Sequence, residues 1–199
     1  MSNEVREPIQ KRSIEKKEKI IKSGFELICD KGYYNTNTAE IAKAAEVSTG
    51  IVYQYFKDKH DILIAGLNNY ADSIFFPTLV IPEDGFDKKD FAKVLKDIIS
   101  KFIEDHKLSK QAHEEITAMV HSDEQVSKLF YEAEMKMTNK FADVLIKSNM
   151  NCKDIKEKSH IAVHLIDDLC HEIVYHKHNE MNYAEMIEIV IDIIVKIFA

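Results

Sequence analysis

Glycine, proline and cysteine number only five, three and three in 199 residues. So few chain breakers exclude a turn-rich β architecture and leave helices as the dominant element. Cys29, Cys152 and Cys170 are odd in number and lack metal-ligand spacing, which excludes a disulfide framework and fits reduced, packed thiols. No apolar run approaches the roughly 18 residues of a membrane span, and the start Met1-Ser2-Asn3-Glu4 lacks the apolar segment of a signal peptide. The expected location is the cytoplasm, with no membrane partner. Gly-rich phosphate loops, nucleophile motifs and paired Cys sites are also missing, so neither an enzyme nor a cofactor is expected.

The sequence has 45% hydrophobic residues, ample for a core, and its length suits one large or two small domains. The net charge of −7 is unevenly spread. Residues 1 to 60 hold 11 Lys/Arg and 9 Asp/Glu, a net +2, whereas residues 61 to 199 hold 16 and 25, a net −9. An acidic body repels phosphate, so any nucleic-acid contact is confined to the first sixty residues.

Within that stretch, residues 38 to 63 read as two short helical patterns joined by a tight turn. Ile41, Ala42, Ala45, Val47, Ile51, Val52 and Phe56 supply the apolar positions that pack two helices across it. Thr38 and Ser48 stand where each helix begins and can cap orphan backbone N–H groups. A first helix starts near Ser13, buries Ile14, Ile21, Phe25 and Ile28, and stops at Gly32. Arg6, Lys11 and Arg12 ahead of it read either as a frayed terminus or as an arm touching phosphate or the minor groove.

This stretch resembles the TetR family of bacterial transcriptional regulators. The resemblance runs from about residue 13 to 63. It rests on Phe25-Glu26-Leu27-Ile28-Cys29-Asp30-Lys31-Gly32-Tyr33, Thr36-Asn37-Thr38, Ile41-Ala42, and Ser48-Thr49-Gly50-Ile51-Val52-Tyr53-Gln54-Tyr55-Phe56, followed by Lys59 and Leu63. Glu46 departs from it, because that turn usually carries Gly in the family. At positive φ, Glu costs about 1 kcal/mol relative to Gly.

The resemblance implies an all-α protein: a three-helix DNA-binding head at 1–60 and a helical effector-binding and dimerisation body at 61–199. Thr49 to Phe56 becomes the recognition helix in the major groove. Gly50 allows close backbone approach, Gln54 can pair with adenine, and Thr49 can meet a base edge. Tyr53, Tyr55, Ser48, Thr36, Thr38 and Lys59 complete the expected DNA-binding set, with Lys59 placed where helix N–H groups favour an anion. Thr38 has the plainer reading of a cap.

A fourth helix is expected from Lys59 to about Ser73, then a loop from Phe76-Pro77 to Pro82-Glu83-Asp84-Gly85. Helical patterns follow at 88–106, 110–120, 123–148, 153–177 and 183–198. Ser122 with Gln125 and Asn182 with Glu185 resemble capping boxes. The last helix has one narrow polar stripe, Glu185, Glu188, Asp192 and Lys196, and is apolar elsewhere. It therefore needs partners on several sides, and with Ile161, Leu165, Ile166, Leu169, Ile173 and Val174 of the preceding helix it suggests a four-helix seam in a homodimer. Ile191 and Ile194 are placed in that seam.

A small-molecule effector of unknown identity is implied by the family. Phe102, Met119, His121, Phe130 and Tyr131 read as its lining or as ordinary core and surface. His160, His164, His171 and His178 fall on one helical stripe, with Asp167 adjoining. A solvated polar face is the favoured reading and no metal is expected. The alternatives are a metal-sensing protein that uses this stripe, and a DNA-binding protein of the same fold without an effector. The leading reading is a sequence-specific repressor that binds a double-stranded operator and is released by an apolar or aromatic molecule.

Overall fold

The structure, a computed structural model, describes residues 11–74, 84–104 and 108–199, with side chains of 70–74 excepted. Arg6 and the loop through Pro77 and Pro82 lie outside the described residues. Nine α-helices occur among those described: α1 (Lys11–Lys31), α2 (Thr38–Ala44), α3 (Thr49–Tyr55), α4 (Lys59–Ile74), α5 (Phe91–Glu104), α6 (Lys110–Ser122), α7 (Glu124–Lys147), α8 (Ile155–Tyr175) and α9 (Tyr183–Ile197). A 3-10 turn at Lys88–Asp90 leads into α5, and no strand is present among the described residues. None of these helices is long and apolar enough to cross a membrane.

The helices group into two compact units. The first holds α1 to α4, α6 and the start of α7, and the second holds α5, the rest of α7, α8 and α9. Packing thus does not divide at residue 60, because α4 and α6 both lie against α1.

In the first unit α1 buries Ile20, Ile21, Phe25 and Ile28, while Ile14, expected in that stripe, is 45% exposed. Two glycines bring α1 and α4 close. A Cβ on Gly24 would lie 2.6 Å from Ile62 Cγ2, and one on Gly66 would lie 2.3 Å from Phe25 Cδ2. Because Phe25 is itself buried, Gly66→Ala is expected to destabilise this unit by about 1–3 kcal/mol through overpacking. Urea unfolding followed by circular dichroism checks this, and an unchanged midpoint would refute the close crossing.

Gly32 ends α1 at φ 90°, with its N–H donating to Ile28 O at 2.9 Å. The carboxylate of Glu115 sits over it and accepts from Tyr34 N–H at 3.0 Å, which fastens α6 to the end of α1. A second tie is His60 Nε2 to Asp123 Oδ2, 2.7 Å. Burial works to raise the Asp123 carboxyl, yet N–H donors of Val126 and Gln125 and the His60 ring together hold it below its usual value.

Two caps sit one residue away from their expected positions. Asn37, not Thr38, caps α2, forming a capping box with Glu40. Asp123, not Ser122, caps α7, accepting from Gln125 and Val126 N–H at 3.0 Å each. Ser122 ends α6 and donates to Ala118 O. Ser48 and Asn182 cap α3 and α9 as expected.

In the second unit α5 packs on α8 and α9, and α8 on α9. Phe91, Leu95, Ile98, Ile99 and Phe102 of α5 meet Ala162, Val163, Ile166 and Cys170 of α8 in the core. Here the expected seam needs correcting. Ile191 is 3% exposed and Ile194 is fully buried, so both belong to the core of the chain itself. Ile166 and Leu169 are buried as well. The outward apolar residues are Ile189, 50% exposed, Ile193, 42%, and Ile161 of α8, 51%. Burial pushes the Cys29 thiol up to about 12 and raises Cys170 too, with Glu26 and Asp167 adding smaller effects, so both are inert at neutral pH.

Candidate nucleic-acid interface

The α2–α3 turn closes as a Schellman motif. Val47 N–H donates to Ala42 O at 3.0 Å and Glu46 N–H to Lys43 O at 3.1 Å, which requires the residue between the helices to be left-handed. That residue is Glu46, at φ 55°. An exposed ion pair with Lys19 of α1 draws its carboxyl below the ordinary value and partly offsets the strained backbone. The turn therefore has the expected geometry despite lacking Gly.

α3 is two-faced. Val52, Tyr55 and Phe56 are buried against Ile20, Ile21, Ile41, Ala42, Ala45 and Ile62. Thr49, Gly50, Tyr53 and Gln54 are exposed on the opposite side, with Ser48 at its start. A Cβ on Gly50 would meet nothing closer than Ser48 Oγ at 3.9 Å. No intramolecular contact demands glycine there, unlike Gly24 and Gly66.

Three residues of the expected DNA-binding set are committed elsewhere. Thr36 is 2% exposed and its hydroxyl donates to Gly32 O at 2.9 Å, locking the α1–α2 loop. Tyr55 is 8% exposed and belongs to the core of the head. Lys59 donates from Nζ to Tyr33 O at 2.7 Å and Thr36 O at 3.0 Å, and lies over the Tyr33 ring. The α4 N-terminus it was expected to share with an anion is already occupied: Asp58 Oδ1 accepts from His60 and Asp61 N–H. Lys59 is thus a clamp between α4 and the α1–α2 loop. Thr38, half-buried, is the first residue of α2 rather than its cap.

Lys43 on α2 and Lys57 just after α3 are exposed cations of the head that pattern reading passed over. Their proximity in sequence to the recognition helix was the available signal. Of the effector candidates, Phe102 and Met119 are buried, Phe130 is half-buried, and His121 and Tyr131 lie on the surface. Phe102 and Tyr131 belong to the second unit and the other three to the first.

The head has close relatives. Residues 20–65 match the family model described as bacterial regulatory proteins, tetR family. The HTH-type transcriptional regulator HbdR of Aromatoleum sp. (strain CIB) is 46% identical over 59 residues, 30% of this chain and 26% of that protein. The chain spans about a quarter of the length of the curated relatives it matches this way. Among solved structures, a TetR-family transcriptional regulator from Mesorhizobium loti MAFF303099 superposes with a TM-score of 0.64 at 22% identity, covering 95% of this chain and 97% of that one. FadR of Thermus thermophilus, a TetR-family transcriptional repressor in complex with lauroyl-CoA, gives 0.58 at 16% identity, covering 89% and 92%. These two likenesses concern the fold alone. The head thus matches the tetR family of bacterial regulatory proteins in sequence over residues 20–65, and the all-helical fold resembles that of TetR-family regulators along its length.

Proposed function

We propose that the protein is a homodimeric transcriptional repressor that reads an operator through α3 and releases it when an apolar or aromatic molecule enters the body. The observation that carries this reading is the split character of α3. Its apolar side is locked into the head, while Thr49, Gly50, Tyr53 and Gln54 form an exposed face of small and hydrogen-bonding groups. That face suits base edges in the major groove, with Gln54 able to pair bidentately with adenine. Ser48 and Tyr53 reach phosphate, and Lys43 and Lys57 supply charge beside them.

The functional division at residue 60 follows from the charge balance, since the +2 segment faces the duplex and the −9 segment does not. Lauroyl-CoA bound by the Thermus protein supports an apolar effector in a body of this fold. For release, such a molecule must favour the conformation whose two heads no longer match the operator. Parting α5 from α8 around the buried Phe102 offers it an apolar lining.

Selection of bound sequences from random duplex DNA by the full-length protein tests the reading. Gln54→Ala is expected to relax preference at one operator position, at about 1–3 kcal/mol, while Lys57→Ala weakens all sequences and reduces the salt slope by about one. Failure to enrich any sequence would overturn it. Operator release by acyl-CoA or aromatic acids tests the effector separately.

A further inference from the structure

Where α7 meets α8, three side chains of metal-ligand type converge. Glu134 comes from α7 and His160 and His164 from α8, and one ligand atom of each lies within 4.8 Å of the other two. The His pair is spaced i, i+4, so both rings leave the same face of α8, their centroids 4.5 Å apart. Two imidazoles on one helix make half a coordination shell. Glu134 supplies the third ligand from across the contact.

The surroundings set this cluster apart from a solvated polar face. The Glu134 side chain is only 10% exposed, and its Oε1 lies 2.9 Å from His164 Nε2. A carboxylate that deep is costly unless a cation or several donors meet it. Thr138, one turn further along α7 and fully buried, places Oγ1 3.0 Å from His160 Nδ1. When that hydroxyl accepts the Nδ1 proton, His160 presents the lone pair of Nε2. This is the outer-shell partner that orients a metal-binding imidazole.

We propose that Glu134, His160 and His164 form a binding site for one divalent transition-metal ion of the Zn²⁺ class, with Thr138 as a positioning residue. Two His nitrogens and a carboxylate oxygen are a Zn²⁺ donor set, and Co²⁺ and Ni²⁺ accept the same groups. A tetrahedral ion with bonds near 2.0 Å places its ligand atoms about 3.3 Å apart. The Glu134–His164 pair is already that close, and the other separations lie within 4.8 Å. On binding, the ion replaces any proton shared between His164 Nε2 and Glu134 Oε1, which leaves to solvent. The fourth position opens on the outer side of His164, whose side chain is 47% exposed, and is filled by water or a small anion.

The rest of the His stripe stands aside. His171 Nδ1 is 2.9 Å from Asp167 O and 3.3 Å from Asp167 Oδ1, and its ring meets Phe102 edge-on. His178 lies beyond the end of α8. The other acid–His group, Asp58, His60 and Asp61, is spent on capping α4, on Lys57 N–H and on Asp123.

The inference does not depend on what the head binds, and its test uses no DNA. Metal-free full-length protein titrated with Co²⁺ is expected to develop the visible absorption of a tetrahedral site, saturating at one ion per chain and displaced by Zn²⁺. His160→Ala with His164→Ala abolishes the band, Glu134→Gln weakens Co²⁺ binding about a hundredfold, and Thr138→Val about tenfold. His171→Ala leaves it unchanged. His164→Gln, at a half-exposed position, serves as the variant whose fold is checked by circular dichroism. The absence of a saturable band in the wild type would overturn the proposal, as would a one-equivalent band that survives in His164→Gln and Glu134→Gln.

Discussion

Replacing both Ile189 and Ile193 with Asp is expected to give a folded monomer that has lost operator binding. The two residues are 50% and 42% exposed on α9, and Ile161 on α8 is 51% exposed. Soluble chains seldom leave such a stripe uncovered. In the proposed homodimer the partner's copy of the same helices covers it, so two carboxylates would enter an apolar seam without counter-charges. The body already carries −9, and the new charges would also repel one another across the seam.

Each subunit would then meet its half-site alone. Losing the linkage between two heads removes an avidity gain of about 10²–10⁴. The comparison that gives the experiment its meaning is Ile191→Asp or Ile194→Asp. Those side chains are buried within the chain's own core, so a charge there is expected to unfold the chain rather than divide a dimer. Sedimentation at micromolar concentration, with circular dichroism for fold and titration of a selected operator, reads all three properties. A wild type that sediments as a monomer, or a doubly substituted chain that stays dimeric, would refute the seam.

Gly50→Ala is expected to leave the fold intact, or slightly more stable, while weakening operator binding ten- to a hundredfold. Inside α3 an added Cβ meets only Ser48 Oγ at 3.9 Å, and Ala favours the helix over Gly by about 0.8–1 kcal/mol. Nothing within the chain opposes the substitution. In the proposed complex the same methyl would fall between the α3 backbone and the groove, and overpacking a tight contact costs about 1–3 kcal/mol. Gly66→Ala reverses the pattern, with the fold suffering and the DNA face untouched. Unfolding curves and operator titrations of the two variants side by side make the contrast. Undiminished affinity in Gly50→Ala would show that the backbone does not approach the duplex there.

The helix-turn-helix was legible because its information is local. Apolar residues at helical spacing mark one face of α2 and one of α3, and Ser48 and Asn182 cap as their hydroxyl and amide chemistry suggests. Where neighbouring residues were equally able to cap, as with Asn37 and Thr38 or Ser122 and Asp123, local chemistry did not choose. The backbone angle at which each helix is entered did. The polar tips of Thr36, Tyr55 and Lys59 read as DNA contacts, and only the fold adds that the carbonyls of Gly32, Tyr33 and Thr36 and the core of the head also engage these residues.

The amino-acid order by itself determined the helical class, the helix boundaries to within a few residues, the charge division and the outward face of α3, because these rest on composition and on periodicity within one segment. Only the tertiary structure decided which side of the Ile-rich α9 is core and which is left outward, since a helix apolar on three sides has no unique inward face until α5 and α8 pack on it. It also decided that Glu134 and Thr138 of α7 meet His160 and His164 of α8. Residues more than twenty positions apart carry no shared local signal, and only the crossing of two helices brings their side chains within bonding distance.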